Sequence, residues 1–312
     1  MRKGTLIRSL AWGAVVAGAA APVLRRRLRL HPAVTIATAA AAPLGLAVAL
    51  PKSRTRDVGI CALQMWAYIA AYEMPNDQPG ELAERVHIDY PVEIDKMIGL
   101  GSAPTHRFQS LFAHPGEIQG YEKVLVWAHW AWFTVPHGTA VYVLMRRRDM
   151  FPKAAFMTYA VFDIGALIYW LAPTAPPWYA AEQGRFDDGQ TPRIRRMMIE
   201  YGAQFWKDHW GPLYSSLAGN PFAAMPSLHF ATSVMAAKIL RRTGKVAGAI
   251  GWGYTGTLGV ALVYLGEHYV IDLIAGAALA EGVWRIAGPL APVGQSIGAA
   301  VNGLQRRAAA NG

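Results

Sequence analysis

Two histidines and an aspartate offer the most specific chemistry in this chain. His268 and Asp272 stand four residues apart, so on a helix their side chains share a face. A carboxylate so placed accepts a hydrogen bond from one imidazole nitrogen and leaves the lone pair of the other free, the orienting logic of catalytic triads. His229 is suited to giving a proton to a departing oxygen. Ser227, two residues earlier, is suited to donating a hydrogen bond to a phosphate oxygen. The same His268–Asp272 pair also suits a structural contact or half of a metal site. Zinc would need a third ligand, from His229 or from His106, His114 or His209.

Such residues matter only if larger elements bring them together, and the composition points to membrane helices. Of 312 residues, 53% are hydrophobic and only 16% charged, against about 25% charged in soluble chains. Eleven Trp and 13 Tyr suit two membrane interfaces. The net charge of +10 does not indicate nucleic acid, because the basic residues form short clusters beside apolar runs, as in cytoplasmic membrane loops. The single cysteine, Cys61, excludes an intramolecular disulfide and a thiolate-rich metal site. The N-terminus has a basic start and an apolar run like a signal peptide. Arg25, Arg26, Arg27 and Arg29 follow at once, so it is read as a membrane-associated segment.

A spanning helix needs about 20 mostly apolar residues. Candidate spans cover 58–72, 124–145, 154–173, 221–237, 246–266 and 269–284, with further apolar runs at 9–24 and 30–51. Four basic clusters, at 52–56, 146–153, 241–245 and 285–307, lie on one side if six spans alternate from Val58 onward. The excess of Lys and Arg marks that side as cytoplasmic. The expected fold is therefore an all-α integral membrane protein, a six-span core over 58–288 with N-terminal membrane-associated segments at 1–57. Residues 289–312 form a cytoplasmic tail. Two extracytoplasmic loops, 73–123 and 174–220, carry aromatic and apolar residues at spacings that suit short amphipathic helices.

This topology, set without any motif, brings three segments to one outer face. They are the Pro173-Thr174-Ala175-Pro176-Pro177-Trp178-Tyr179 string, Pro226-Ser227-Leu228-His229, and Gly266-Glu267-His268-Tyr269-Val270-Ile271-Asp272. The Ser227-x-His229 and His268-Tyr269-x-x-Asp272 elements resemble the second and third motifs of the type-2 phosphatidic acid phosphatase superfamily. The proline-rich string and the Pro-Ser-Leu-His form are similar to its inositol phosphorylceramide synthase-like branch. The resemblance spans roughly 124–284.

The resemblance implies that His268 is a nucleophile forming a phosphohistidine, that Asp272 orients it, and that His229 protonates the departing alkoxide. It implies no metal and no cofactor. The family's first motif, a Lys followed six residues later by Arg-Pro, is absent. In its place stand Arg185, Arg193, Arg195, Arg196 and Lys207, of which Arg195, Arg196 and Arg193 are the expected phosphate clamps. Tyr179 and Asn220 are expected to add substrate contacts together with Ser227. His129 and His137 read as satisfied or interfacial histidines, although they could line a cavity. Asp163, inside a span, is either a functional group or bonded to a neighbouring Tyr or carbonyl.

The expected activity is a phosphotransferase of the plasma membrane, moving a phosphoryl or phospho-headgroup between a lipid phosphate, phospholipid or polyprenyl, and a polyol, sugar or lipid alcohol. A phosphatase with water as acceptor is the alternative. A transporter would spread charges through membrane depth and show repeat-related broken helices. The ionisable residues instead gather at one face, and no repeat is present.

Overall fold

The computed structural model describes residues 3–186, 194–217 and 219–310. The helices run, in chain order, α1 (Lys3–Leu28), α2 (Pro32–Ala49), α3 (Arg54–Glu73), α4 (Pro79–Arg85), α5 (Asp89–Ile98) and α6 (Pro104–Phe112). Then follow α7 (Gly120–Ala131), α8 (Val135–Arg146), α9 (Phe151–Leu171), α10 (Pro177–Glu182), α11 (Met197–Trp206) and α12 (Trp210–Leu217). The chain closes with α13 (Leu228–Thr243), α14 (Lys245–Tyr264), α15 (Val270–Ile286) and α16 (Ala291–Ala309). Among the described residues there is no β-strand, only isolated bridges joining Thr174 to His87 and to Ala223. The protein is an all-α integral membrane protein. Among the described residues four helices, α1, α2, α9 and α14, are long and apolar enough to cross a bilayer.

The chain divides into two compact units, Met1–Gln78 with Trp284–Gly312, and Pro79–Val283. The first contains α1–α3 and α16, packed through small side chains including Ala11, Val48, Ala49 and Ala308. Within this unit Arg25 and Arg26 both bond Asp77, so the arginine run that ends the first apolar stretch has a carboxylate partner.

The second unit contains the residues with chemistry. Its uncharged run at 124–145 is two helices rather than one, broken at Trp132–Thr134 between α7 and α8. Pro136 accounts for the break, because it lacks an N–H to continue the hydrogen bonding of α7 and is tolerated only in a helix's first turn, where it sits in α8. In the 221–237 run the helix begins only at Leu228, where Ser227 adopts extended geometry and its Oγ accepts from the Phe230 N–H at 3.2 Å. The segments 73–123 and 174–220 fold largely into the short helices α4–α6 and α10–α12.

Candidate active site

The starts of α13 and α15 meet and place the two histidines edge to edge. His229 lies in the first turn of α13, and its Nδ1 is 3.1 Å from His268 Nε2. His268 Nδ1 is in turn 3.2 Å from Asp272 Oδ2. A carboxylate can only accept here, so His268 carries its proton on Nδ1 and presents a lone pair at Nε2. His229 Nδ1–H then donates to that lone pair. Both His268 and Asp272 are buried.

Backbone contacts lock the two helix starts together. The Ser227 N–H donates to the Asp272 carbonyl at 3.0 Å. One turn beyond Asp272, a Cβ on Gly276 would lie 2.5 Å from the Ser227 carbonyl oxygen, a backbone atom that cannot swing aside. His268 lies in the turn just before α15, Asp272 and Gly276 share one face of the helix, and the glycine is what lets α13 approach the carboxylate.

A turn at 265–269 joins α14 to α15, and Gly266 in it has φ of 76°. Glycine suits that left-handed conformation, and a Cβ there would meet Ile194 Cγ2 at 2.5 Å. The Gly266 carbonyl accepts from the Trp178 N–H at 3.2 Å. This one residue therefore packs against the segment preceding Arg195 and ties down the proline-rich string. The string is fixed further by backbone bonds from His87 N–H to Pro173, Ala175 N–H to His87, and Thr174 N–H to Phe222. Tyr179 stacks edge-on against Phe222 at 4.9 Å between ring centres. Asn220 is buried and its Oδ1 accepts from the Phe222 N–H at 3.0 Å.

The neighbouring arginines face different surroundings. Arg195 Nε and Nη2 bond Glu200 at 2.9 and 2.6 Å, while Nη1 donates to the carbonyls of His114 and Glu117. Its backbone is held by Gln109, which accepts from the Arg195 N–H and donates to the carbonyls of Arg195 and Tyr264. Arg196 instead lies flat over the Trp178 ring, 3.9 Å from its centre. Its Nη2 donates to Tyr214 Oη at 3.2 Å and stands 3.8 Å from Glu267 Oε1, while its buried Nε has no partner among the described residues. Arg193 lies outside the described residues. Burial pushes the Glu267 carboxyl above the usual carboxylate range, against the pull of Arg196 and His268.

Three further residues border the site. His129 is buried with its ring centre 4.8 Å from that of His229, and the Trp132 ring lies 4.1 Å from His229 on the same helix-breaking turn. Asp95, on α5, receives the N–H groups of Val270 and Ile271 at the start of α15. Glu267 and Gly276 had signals in the sequence, a charge beside His268 at an apolar boundary and a small residue four beyond Asp272. Asp95 had none, because nothing local links it to a helix so distant in the chain. Among the described residues no three His, Cys, Asp or Glu side chains form a group that could hold a metal ion.

Residues 93–286 match the family model of the PAP2 superfamily, the type-2 phosphatidic acid phosphatases, which covers more than half of the chain. The chain belongs to the PAP2 superfamily. That places it among enzymes that handle lipid phosphates, and the matched region contains Ser227, His229, His268 and Asp272. A phosphoinositol dihydroceramide synthase of Bacteroides thetaiotaomicron is 31% identical over 158 residues. The aligned stretch is 49% of this chain and 51% of that relative, so the match spans about half of each protein. This supports the synthase-like branch of the PAP2 superfamily. No solved structure matches the chain.

Proposed function

We propose that the protein is a membrane phosphotransferase that moves a phosphoryl or phospho-headgroup from a lipid to an alcohol through a phosphohistidine at His268. The observation that carries this reading is the chain of contacts Asp272–His268–His229, which aims the His268 Nε2 lone pair at His229. In the first step Nε2 attacks phosphorus and the phosphorus–oxygen bond to the leaving group breaks. His229, carrying a proton on both ring nitrogens once the anionic phosphate is bound, gives its Nδ1 proton to the departing oxygen and becomes neutral. In the second step the acceptor hydroxyl returns that proton to His229 while its oxygen attacks phosphorus, and the phosphorus–nitrogen bond breaks to regenerate His268.

At 3.1 Å the two histidine nitrogens leave no room for a phosphoryl group. Substrate therefore has to displace this hydrogen bond, with His229 moving aside to face the leaving oxygen. Arg196 is better placed than Arg195 to hold the non-bridging oxygens, because its Nε–H has no partner among the described residues while Arg195 is engaged by Glu200 and two carbonyls. Trp178 supports the guanidinium from behind. Ser227 uses its oxygen to cap α13, which leaves its hydroxyl proton for a phosphate oxygen. The relative's printed name, a synthase rather than a phosphatase, favours an alcohol over water as acceptor. The positive-inside pattern supports a site on the extracytoplasmic face of a six-span core, with the C-terminus cytoplasmic.

The test incubates purified protein with labelled lipid phosphates and candidate alcohols, then asks whether label ends in phosphodiester or in free phosphate. Label moving only to free phosphate would assign the protein as a phosphatase. His268→Ala is expected to lower turnover by about 10⁶-fold in a folded protein, and retained activity would remove the nucleophile assignment.

A further inference from the structure

We propose that Asp95 is a positioning residue for the His268–Asp272 pair, clamping from a short upstream helix the start of α15, which lies between the two. The assignment rests on the reading of His268 as nucleophile. Asp95 is wholly buried. Its Oδ2 accepts from the Val270 N–H and its Oδ1 from the Ile271 N–H, both at 3.1 Å. The preceding N–H, that of Tyr269, donates to Asp272 Oδ2 at 2.9 Å.

Three successive amides with no helical carbonyl to receive them thus end on two carboxylates. The Asp95 clamp falls between the members of the pair, His268 before it and Asp272 after it. Because both oxygens are used, it fixes the rotation of the turn as well as its position. The contact it protects has little slack. His268 Nδ1 to Asp272 Oδ2 is already 3.2 Å, the long end of an N–H···O bond, and a small rotation of the turn would break it.

The chemistry of Asp95 also argues against a merely space-filling role. Val92 on the same helix and Tyr269 beside the clamped amides belong to one apolar cluster with Ala103, Ala180, Phe186 and Ile194. Among the described residues no basic side chain pairs with it. A buried carboxylate without a cation is costly unless its hydrogen bonds hold it in place, and here every bond it accepts comes from α15. A small apolar residue would carry less cost there but would leave two half-buried amides without their acceptor.

The experiment compares wild type, Asp95→Asn and Asp95→Ala in turnover of a labelled lipid phosphate. In parallel, carbethoxylation of His268 and His229 by diethyl pyrocarbonate is read by peptide mass spectrometry. The Ala variant is expected to lose about 10²-fold in kcat, the scale of a small misplacement of a reacting group. The Asn variant, with one acceptor oxygen left, should fall between. KM should stay within about twofold, because ground-state binding is untouched, and His268 should label more slowly relative to His229. Should the Ala variant fail to fold, the Asn variant carries the same comparison. Unchanged kcat and unchanged labelling in a folded variant overturn the proposal, as does a rise in KM with labelling unaltered. If His268→Ala retains activity, the nucleophile reading falls on its own, and the labelling ratio still measures what Asp95 does to His268.

Discussion

The starts of α13 and α15 meet at the site, yet they are capped in different ways. The first is closed by one neutral hydroxyl, that of Ser227 on the Phe230 N–H. The second is closed by two buried carboxylates, Asp95 and Asp272, on three successive amides. The difference follows the charge each helix has to tolerate in the proposed reaction. His268, at the α15 start, gains positive character as its Nε2 bonds phosphorus, and nearby carboxylates stabilise it. His229, at the α13 start, faces an anionic phosphate, so a neutral cap leaves the positive end of the helix dipole to help hold that anion.

The largest test of this contrast removes the charge from the α15 side. Asp272→Asn is expected to lower kcat by about 10⁴-fold, because an amide can present its N–H to His268 Nδ1 and invert the tautomer. Steady-state kinetics checks it, and a loss under tenfold would mean that the carboxylate does not set the tautomer. The next test separates the two helix starts without touching either cap. Gly276→Ala inserts a methyl group 2.5 Å from the Ser227 carbonyl, and about a 10²-fold loss of kcat is expected as His229 and His268 move apart. An unchanged rate would show that their contact is not needed.

Two smaller effects read the caps themselves. Ser227→Ala should destabilise the protein by about 1 kcal/mol, the usual worth of a helix cap, measured as a lowered melting temperature in detergent. Asp95 supplies the pH dependence. Its carboxyl is pushed up to about 6, chiefly by burial and in part by the Asp272 charge, while the two amides pull it down. Because protonation is easier in the folded state than in the unfolded chain, where the value is about 3.9, its contribution to stability is full below about pH 4. It is lost as pH rises through about 6. Glu267, also raised, acts in the same sense. Melting temperature should therefore fall from pH 4 to 6.5 in wild type and fall less in Asp95→Asn. Equal slopes in the two proteins would count against a titrating Asp95.

The apolar runs and short loop helices were legible from composition and spacing, since each is written in consecutive residues. The helix break between α7 and α8 is local too, but its only sign is Pro136 within a run that otherwise reads as one span. The arginines show where reading stops. Arg195 and Arg196 are adjacent and carry the same charge, so no pattern along the chain distinguishes them. What separates them is the presence of Glu200 and the His114 and Glu117 carbonyls around one, and of Trp178 and Glu267 around the other.

By itself the sequence determined an all-helical membrane chain and the pairing of His268 with Asp272, because residues four apart are within local reach even though His268 lies in the turn before α15 and not on the helix. Only the tertiary structure decided that His229 would stand 3.1 Å from His268, since those residues lie on different helices that Gly276 lets approach. It also decided that Asp95 would close the turn carrying the pair. Hydrogen bonds between segments so far apart arise from packing, and packing has no period that can be read along a chain.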